Sequence, residues 1–449
     1  MAERIGMVSL GCAKNLVNGE QMLWLLREAG FEITGDLSEA EVLIVNTCAF
    51  IESAKSEAIE SILEFAQLKK EGRLKKLLVT GCLSQRYGDE LLTELPEVDG
   101  ILGTGSYDEI VPAVRQALAG ETPRCFGDLN APVSEAKRIV TSGPGWAYLK
   151  IAEGCDNHCA YCVIPSIRGK YRSRPLDRVA AEARELAAGG AKELIVVAQD
   201  ITRYGTDLCG RSLLPELIHA LAEIEEVHWI RLHYLYPDMI DDRLIRAVAE
   251  EPKVVKYLDI PIQHINDGIL RRMNRRGTGG QVEALLTRLR EEIPGLVLRT
   301  SLITGLPGEG DGEFEELCAF LKRAKLERAG VFAFSPEEGT PAYAMDRPDE
   351  ETARRRSELA VDIQSRIMDE YNQGRLGSTL EVLAEGYDRL AECWYGRSYA
   401  DSPDVDGKVF FTGKDIRPGE FYQVLITDTL EGDLVGELAP NGTETEAAQ

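Results

Sequence analysis

Residues 4–10 alternate apolar and polar with the period of a strand, and 17–29 carry the three-to-four spacing of a helix. Short apolar runs follow at Val42 to Val45, Leu77 to Val79 and 98–102, with helical patterns over 53–68 and 107–118. Brief, continuously apolar strands between amphipathic helices predict a parallel sheet covered on both faces, an α/β unit of about 120 residues. Residues 120–142 break this rhythm, with Pro123 and Pro132 inside and Gly143 and Pro144 just beyond; a linker or docking segment is expected there. A second alternation offers strands at 147–152, 193–198, 229–234, 256–260, 297–303 and 330–334, with helical patterns between them, for example at 176–188, 212–224, 281–292 and 312–325. Six strand–helix units predict a parallel sheet curved into a partial barrel. Right-handed crossovers put all the loops after the strands on one side, which is where α/β folds keep their sites. A polar-rich helix is expected over 350–371. Beyond Gly374, segments at 379–384, 389–395, 408–412, 421–427 and 434–438 read as a small closed β-barrel. The expected units are 3–119, the linker 120–142, then 143–372 and 375–441.

Length agrees with several units, since 449 residues exceed what one core supports. No apolar run approaches the length of a membrane span, and the first residues lack the basic head and apolar stretch of a secretory signal. A cytoplasmic protein without membrane contact is expected. The formal net charge of −24 argues against a general nucleic-acid coat, whose affinity comes from Lys and Arg on phosphate. It suits a basic protein partner, or simply solubility.

Ten cysteines in a large chain of this kind do not read as a disulfide framework. Cys155, Cys159 and Cys162 crowd into eight residues directly after the first strand of the second alternation. Thiolates spaced in this way can wrap one corner of a four-iron cluster and leave one iron open. A zinc knuckle completed by His158 or Cys209 is the structural alternative, because zinc usually takes four ligands. Ferredoxins place a fourth cysteine nearby, and none follows here until Cys209. Cys12, Cys48 and Cys82 each stand just past one of the first three expected parallel strands, two of them preceded by glycine. Strand ends of one parallel sheet share an edge, so these three can also converge, although free cysteines are often just small buried hydrophobes. Cys125, Cys209, Cys318 and Cys393 have no matching context; Cys318 reads as a core residue of an amphipathic helix.

The spacing at 155–162, with Tyr161 just before the last cysteine, resembles the signature of the radical S-adenosylmethionine (SAM) superfamily. The resemblance implies that the open iron is held by the amino and carboxylate groups of SAM. It also implies SAM contacts from Gln199 and Asp200 after the second barrel strand, from Thr304 and Gly305 in the segment Ser301 to Glu309 after the fifth, and from Tyr161 near the adenine. Two three-cysteine sites followed by a small β-barrel resemble the radical SAM methylthiotransferases over nearly the whole chain. The family implies two [4Fe-4S] clusters, the auxiliary one bearing sulfide or supplying sulfur, a SAM used in two roles, a TRAM-type last domain, and an electron donor such as flavodoxin or ferredoxin.

Ser9 to Asn15, Ala198 to Gly205, Leu232 to Pro237, Arg271 to Thr278 and Gly396 to Asp401 resemble the branch that modifies a ribosomal protein. Ala13 departs from it, where proline is usual. That branch adds a methylthio group to the β-carbon of an aspartate in small-subunit ribosomal protein twelve, with the ribosome or ribosomal RNA as further possible contacts. The rival readings are a tRNA adenosine methylthiotransferase and a non-catalytic metal scaffold. Charge bears on the choice: residues 378–446 hold five Lys/Arg against fifteen Asp/Glu, a net of −10. A barrel of that sign repels phosphate and complements a basic protein. Arg168 and Lys170 are read as facing SAM carboxylate or the partner. The run Arg271, Arg272, Arg275 and Arg276 is read as a helix end, a protein- or RNA-facing patch, or a solvated face. His233, Gln263 and His264, near the third and fourth barrel strands, are either pocket residues or structural ones. A monomer is expected.

Overall fold

The computed structural model describes residues 3–439; the expected end of the last unit at 441 lies outside them. The first sheet is wholly parallel, in the order Glu32–Ile33, Arg4–Ser9, Val42–Thr47, Lys76–Gly81, Gly100–Leu102, Arg124–Cys125. Val42–Thr47 is buried along its whole length, which is why it reads as an unbroken apolar run rather than an alternation. The outermost strands have two residues each, too short to show a period.

The first helix runs Ala13–Glu28, starting four residues before the expected 17. Its opening residues, Lys14 and Asn15, are polar yet buried, and this hid the start. Residues 120–142 form a strap. Gln21 donates to the carbonyls of Ser134 and Ala136, Ile139 N donates to Glu20 O, and Arg138 pairs with Glu20 at 2.8 Å. On its other side Glu135 pairs with Arg174.

The second sheet is an open parallel half-barrel: Trp146–Lys150, Glu193–Val197, Trp229–Leu232, Val254–Asp259, Val297–Thr304, Arg328–Ala333. Helices Leu176–Ala188, Leu214–Ala222, Asp242–Glu250, Gly279–Glu292 and Asp311–Ala324 connect the strands, and their apolar faces join the strand residues in the largest core. Thr278 and Gln281 form a reciprocal capping box that fixes the start of the fourth of these helices. The long helix Glu350–Gln373 packs along the last strand and covers the open edge.

The remaining strands, Thr379–Asp388, Cys393–Ser398, Val409–Thr412, Phe421–Leu430 and Asp433–Leu438, close into a five-stranded barrel. Its second strand starts later than the expected 389 because Asp388 accepts the amides of Leu390 and Ala391 and Glu392 takes a positive φ, making a turn. This barrel is locked to the half-barrel by a buried triad: Glu193 accepts from Arg231 at 2.7 Å and from Arg397 at 2.6 Å.

Candidate functional site

The three cysteines of the first unit come together. Gly11, at φ +94°, brings the Cys12 loop against the next one so closely that a Cβ there would meet Cys48 Cβ at 2.6 Å and Cys48 Sγ at 3.1 Å. Gly81, at φ +97°, does the same one strand further along, where a Cβ would sit 2.6 Å from the carbonyl oxygen of Thr47. These are positions only glycine fills without strain. Asn15 ties the loops together, its amide donating to the carbonyls of Leu10, Asn46 and Thr47.

Cys82, 5% exposed, receives a hydrogen bond from Arg168 Nη2 at 3.4 Å, and the same nitrogen donates to Asn15 Oδ1 at 3.0 Å. Burial, with Cys82 and Cys12 close by, pushes the Cys48 thiol up to about 12. Burial likewise raises Cys82, against Arg168. At Cys12 burial acts upward too, but Lys14 and Arg168 outweigh it and hold the thiol below its ordinary value.

The second trio lies in the loop after Trp146–Lys150. Gly154, at φ +80°, presses on the carbonyl of Lys170, and Cys155 N donates to Gly169 O at 3.1 Å. Cys162 N donates to Cys159 O, and Ala160 is bonded to Met273 and Ala342 on either side. Asn157 donates to Asp200 Oδ2 at 2.8 Å and accepts from Arg203 at 2.9 Å. Cys159 is flanked by the Tyr236 hydroxyl and Arg275 Nη1, each 3.8 Å from its sulfur. Burial pushes Cys155 up to about 11, and burial with Cys159 nearby raises Cys162.

The donor chemistry suits iron–sulfur clusters. Each trio gathers soft sulfur donors at least partly shielded from water, and burial raises Cys48, Cys82, Cys155 and Cys162, whose protons a soft cation would replace. Among the described residues no three His, Cys, Asp or Glu side chains close on one point as a single ion requires. A cubane does not require it, since its thiolates attach to separate corners. The residues put forward for a zinc knuckle stand apart: His158 is turned out at φ +50°, and exposed Cys209 bonds to Gly205 O. Cys318 is half-buried rather than core, because Leu317 and Leu321 take the inner face of its helix.

The other expected site residues sit around the second trio. Gln199 donates to Glu153 at 2.9 Å, while its Oε1 is buried without a partner. Asp200, 1% exposed, is fully engaged by Asn157, Thr202 and Arg203, so it braces the cysteine loop. Thr304 is buried and donates to Ala353 O at 3.0 Å. Gly305, at φ +74°, lies so close to the long helix that a Cβ would sit 2.3 Å from Ala353 Cβ, and its N–H donates to Glu309. Tyr161 packs with Leu306, Met273 and Phe334.

Arg356 holds Glu309 at 3.0 Å, and His264 is fully buried with its Nδ1 accepting from Asn266 N, which makes it a structural residue. His233 bonds to Ser402 of the last barrel; burial first, then Arg231 and Arg299, keep its imidazole neutral. Gln263, at φ +70°, bridges to the fifth strand through its backbone.

Arg168 departs from expectation. It is 2% exposed and faces Cys82, Asn15 and Glu153 rather than a partner. Arg275 is likewise buried, against Cys159, while Arg276 reaches the surface beside Asp238. The sequence gives no sign of the buried cluster Lys150, Glu153 and Arg168 between the two trios, in which Glu153 meets Lys150 at 3.1 Å and Arg168 at 3.5 Å. Burial opposes ionisation of Glu153, but these two cations hold it down at about 2.

A parallel half-barrel with three cysteines in the loop after its first strand defines a radical SAM protein, and residues 149–321 match the radical SAM superfamily. Residues 4–103 match the family described as uncharacterized protein family UPF0004, and 376–439 match the TRAM domain. The chain is 48% identical to the ribosomal protein uS12 methylthiotransferase RimO of Lachnoclostridium phytofermentans, over 96% of this chain and 99% of the relative. It is 49% identical to the protein of the same name from Geobacter sulfurreducens, over 97% and 98% of the two chains. The chain therefore belongs to the RimO family of radical SAM methylthiotransferases. Among solved structures it shares its fold with the radical SAM methyltransferase TsrM of Kitasatospora setae, at TM-score 0.57 and 14% identity, over 76% of this chain and 74% of that one. The cobalamin-dependent radical enzyme OxsB is similar at TM-score 0.53 and 12% identity, over 82% and 56%.

Proposed function

We propose that this chain adds a methylthio group to the β-carbon of an aspartate in ribosomal protein uS12. The observation that carries the reading is the convergence of two three-cysteine groups on facing loops of adjoining units, with Arg168 and Glu153 packed between them. When bound, SAM and the two clusters supply the radical chemistry, the methyl group and the sulfur.

The chain's own residues then have separate tasks. Cys155, Cys159 and Cys162 hold one [4Fe-4S] cluster, and Cys12, Cys48 and Cys82 hold the auxiliary one. The partnerless Oε1 of Gln199 would accept from the amino group of SAM. Thr304 and Gly305 shape the wall beside the nucleoside, and Tyr161 backs it with apolar surface. Asp200 serves the same site through the loop it braces. Arg168 and Arg275 place positive charge beside Cys82 and Cys159.

The unit boundaries 3–119, 143–372 and 375–441 belong to this reading. So do a flavodoxin- or ferredoxin-type electron donor and a monomeric, cytoplasmic enzyme. No helix among the described residues is long and apolar enough to cross a membrane. The acidic last barrel supports a basic protein substrate rather than RNA.

The test is anaerobic turnover with SAM, a reductant and ribosomal protein uS12, read by mass spectrometry. A gain of one methylthio group on the aspartate is expected. Loss of the modification from tRNA alone, in cells lacking the gene, overturns the substrate assignment.

A further inference from the structure

Lys14 is the second residue of the helix Ala13–Glu28, two places after Cys12, and it is 7% exposed. Among the described residues no carboxylate lies within ion-pair distance of its ammonium. Its close contact is the ring of Tyr234, 3.6 Å away at the centroid. Tyr234 follows the third half-barrel strand and is held at φ +64°, with its N–H donating to Asp259 at 3.3 Å. The contact thus crosses from the auxiliary cysteine loop to the side of the half-barrel where Gln199 and Glu153 stand.

Three other buried cations of this region have carboxylates, while Arg275 lies over the Tyr236 ring at 4.1 Å beside Cys159. Lys150 and Arg168 share Glu153, and Arg299 has Asp259 at 2.9 Å. Lys14, unlike those three, faces an aromatic ring where a carboxylate would be expected. With no carboxylate at hand, its charge is balanced only by the nearby Cys12 sulfur and the face of the ring.

Resting on the function proposed above, we propose that Lys14 is a positioning residue that receives the carboxylate of the target aspartate. The position suits the task. A carboxylate paired with Lys14 would set the neighbouring β-carbon between the Cys12 loop and the SAM-binding strand ends, and the ion pair would complete the charge balance of the pocket. Such a site rejects the isosteric asparagine because the ammonium would again be left without a carboxylate.

The test compares binding of ribosomal protein uS12 with that of its variant carrying asparagine at the target position. The enzyme is anaerobically reconstituted holoenzyme, with affinity read by fluorescence anisotropy. The wild-type enzyme is expected to prefer the aspartate protein by at least about tenfold. Lys14→Met is expected to bind both equally, at the weaker level, and Lys14→Arg to restore the preference. The ratio of the two affinities cancels any loss of folded protein, so a merely structural lysine would leave it unchanged. If Lys14→Met does not retain iron, Lys14→Gln provides the same comparison. A Lys14→Met or Lys14→Gln enzyme that keeps the wild-type ratio overturns the proposal, as does a wild-type enzyme that binds both proteins equally. A wild-type enzyme that binds neither protein sinks the substrate assignment itself.

Discussion

Gly11→Ala perturbs the auxiliary loop at its tightest point. The new methyl group would stand 2.6 Å from Cys48 Cβ and 3.1 Å from its sulfur, at a backbone φ of +94°. A left-handed conformation costs an L-residue roughly 1–2 kcal/mol, and relieving an overpacked contact adds about 1–3 kcal/mol. Neither cost is met by any flexible neighbour, because Cys48 is anchored directly after the fully buried strand Val42–Thr47. Relief must come from separating the Cys12 and Cys48 loops, which is the displacement a shared cluster cannot tolerate. The expected outcome is a reconstituted protein with about four irons per chain in place of about eight. It should still cleave SAM reductively but form no methylthio product. Iron and sulfide quantitation with Mössbauer spectroscopy reads the clusters, and 5′-deoxyadenosine is followed by chromatography. A Gly11→Ala protein with the full iron content and wild-type product yield would refute the convergence of Cys12 and Cys48 on one cluster.

Replacing Cys155, Cys159 and Cys162 together with alanine should halve the iron and abolish 5′-deoxyadenosine formation, measured in the same assays. Glu309→Gln weakens the brace that Arg356 places on the Gly305 turn through Glu309; the KM for SAM should rise several-fold while the iron content stays constant. Glu193→Gln leaves Arg231 and Arg397 buried without a charge partner, a loss of about 3–5 kcal/mol, seen as early release of the last barrel in urea by limited proteolysis. Burial opposes the ionised form of Glu193, but Arg397 and Arg231 outweigh it and hold its carboxyl below the ordinary 4.5. Its stabilisation is therefore complete above that pH and fades as pH falls through the lowered value. Acid titration of the barrel's proteolytic release should show this loss in the wild type and a flatter profile in Glu193→Gln.

Much of the fold was legible because buried strands such as Val42–Thr47 and amphipathic helices leave direct periodic traces. The helix Asp242–Glu250, expected as part of a strand–helix unit, leaves no clear bounds in the sequence because only Leu244, Ile245 and Val248 point inward among charged neighbours. Both trios were suggested by cysteines at strand ends, and positive-φ glycines bring the loops together. The charges between them were not legible. Lys14, Lys150 and Arg168 belong to residue types normally found at the surface. What burial does to each depends on partners such as Tyr234, Asn18 and Cys82, which are 220, 132 and 86 positions away.

The strap 120–142 has a kinetic consequence. With Arg138 on Glu20, Glu135 on Arg174 and Asn15 on Arg168, the two metal-binding loops are bolted to a common frame rather than carried on separate arms. In the proposed reaction, this frame offers no separate arm to carry sulfur from one loop to the other. On the same proposal, the approach would fall to the protein being modified, and the flexibility of its own target loop would set the pace of capture.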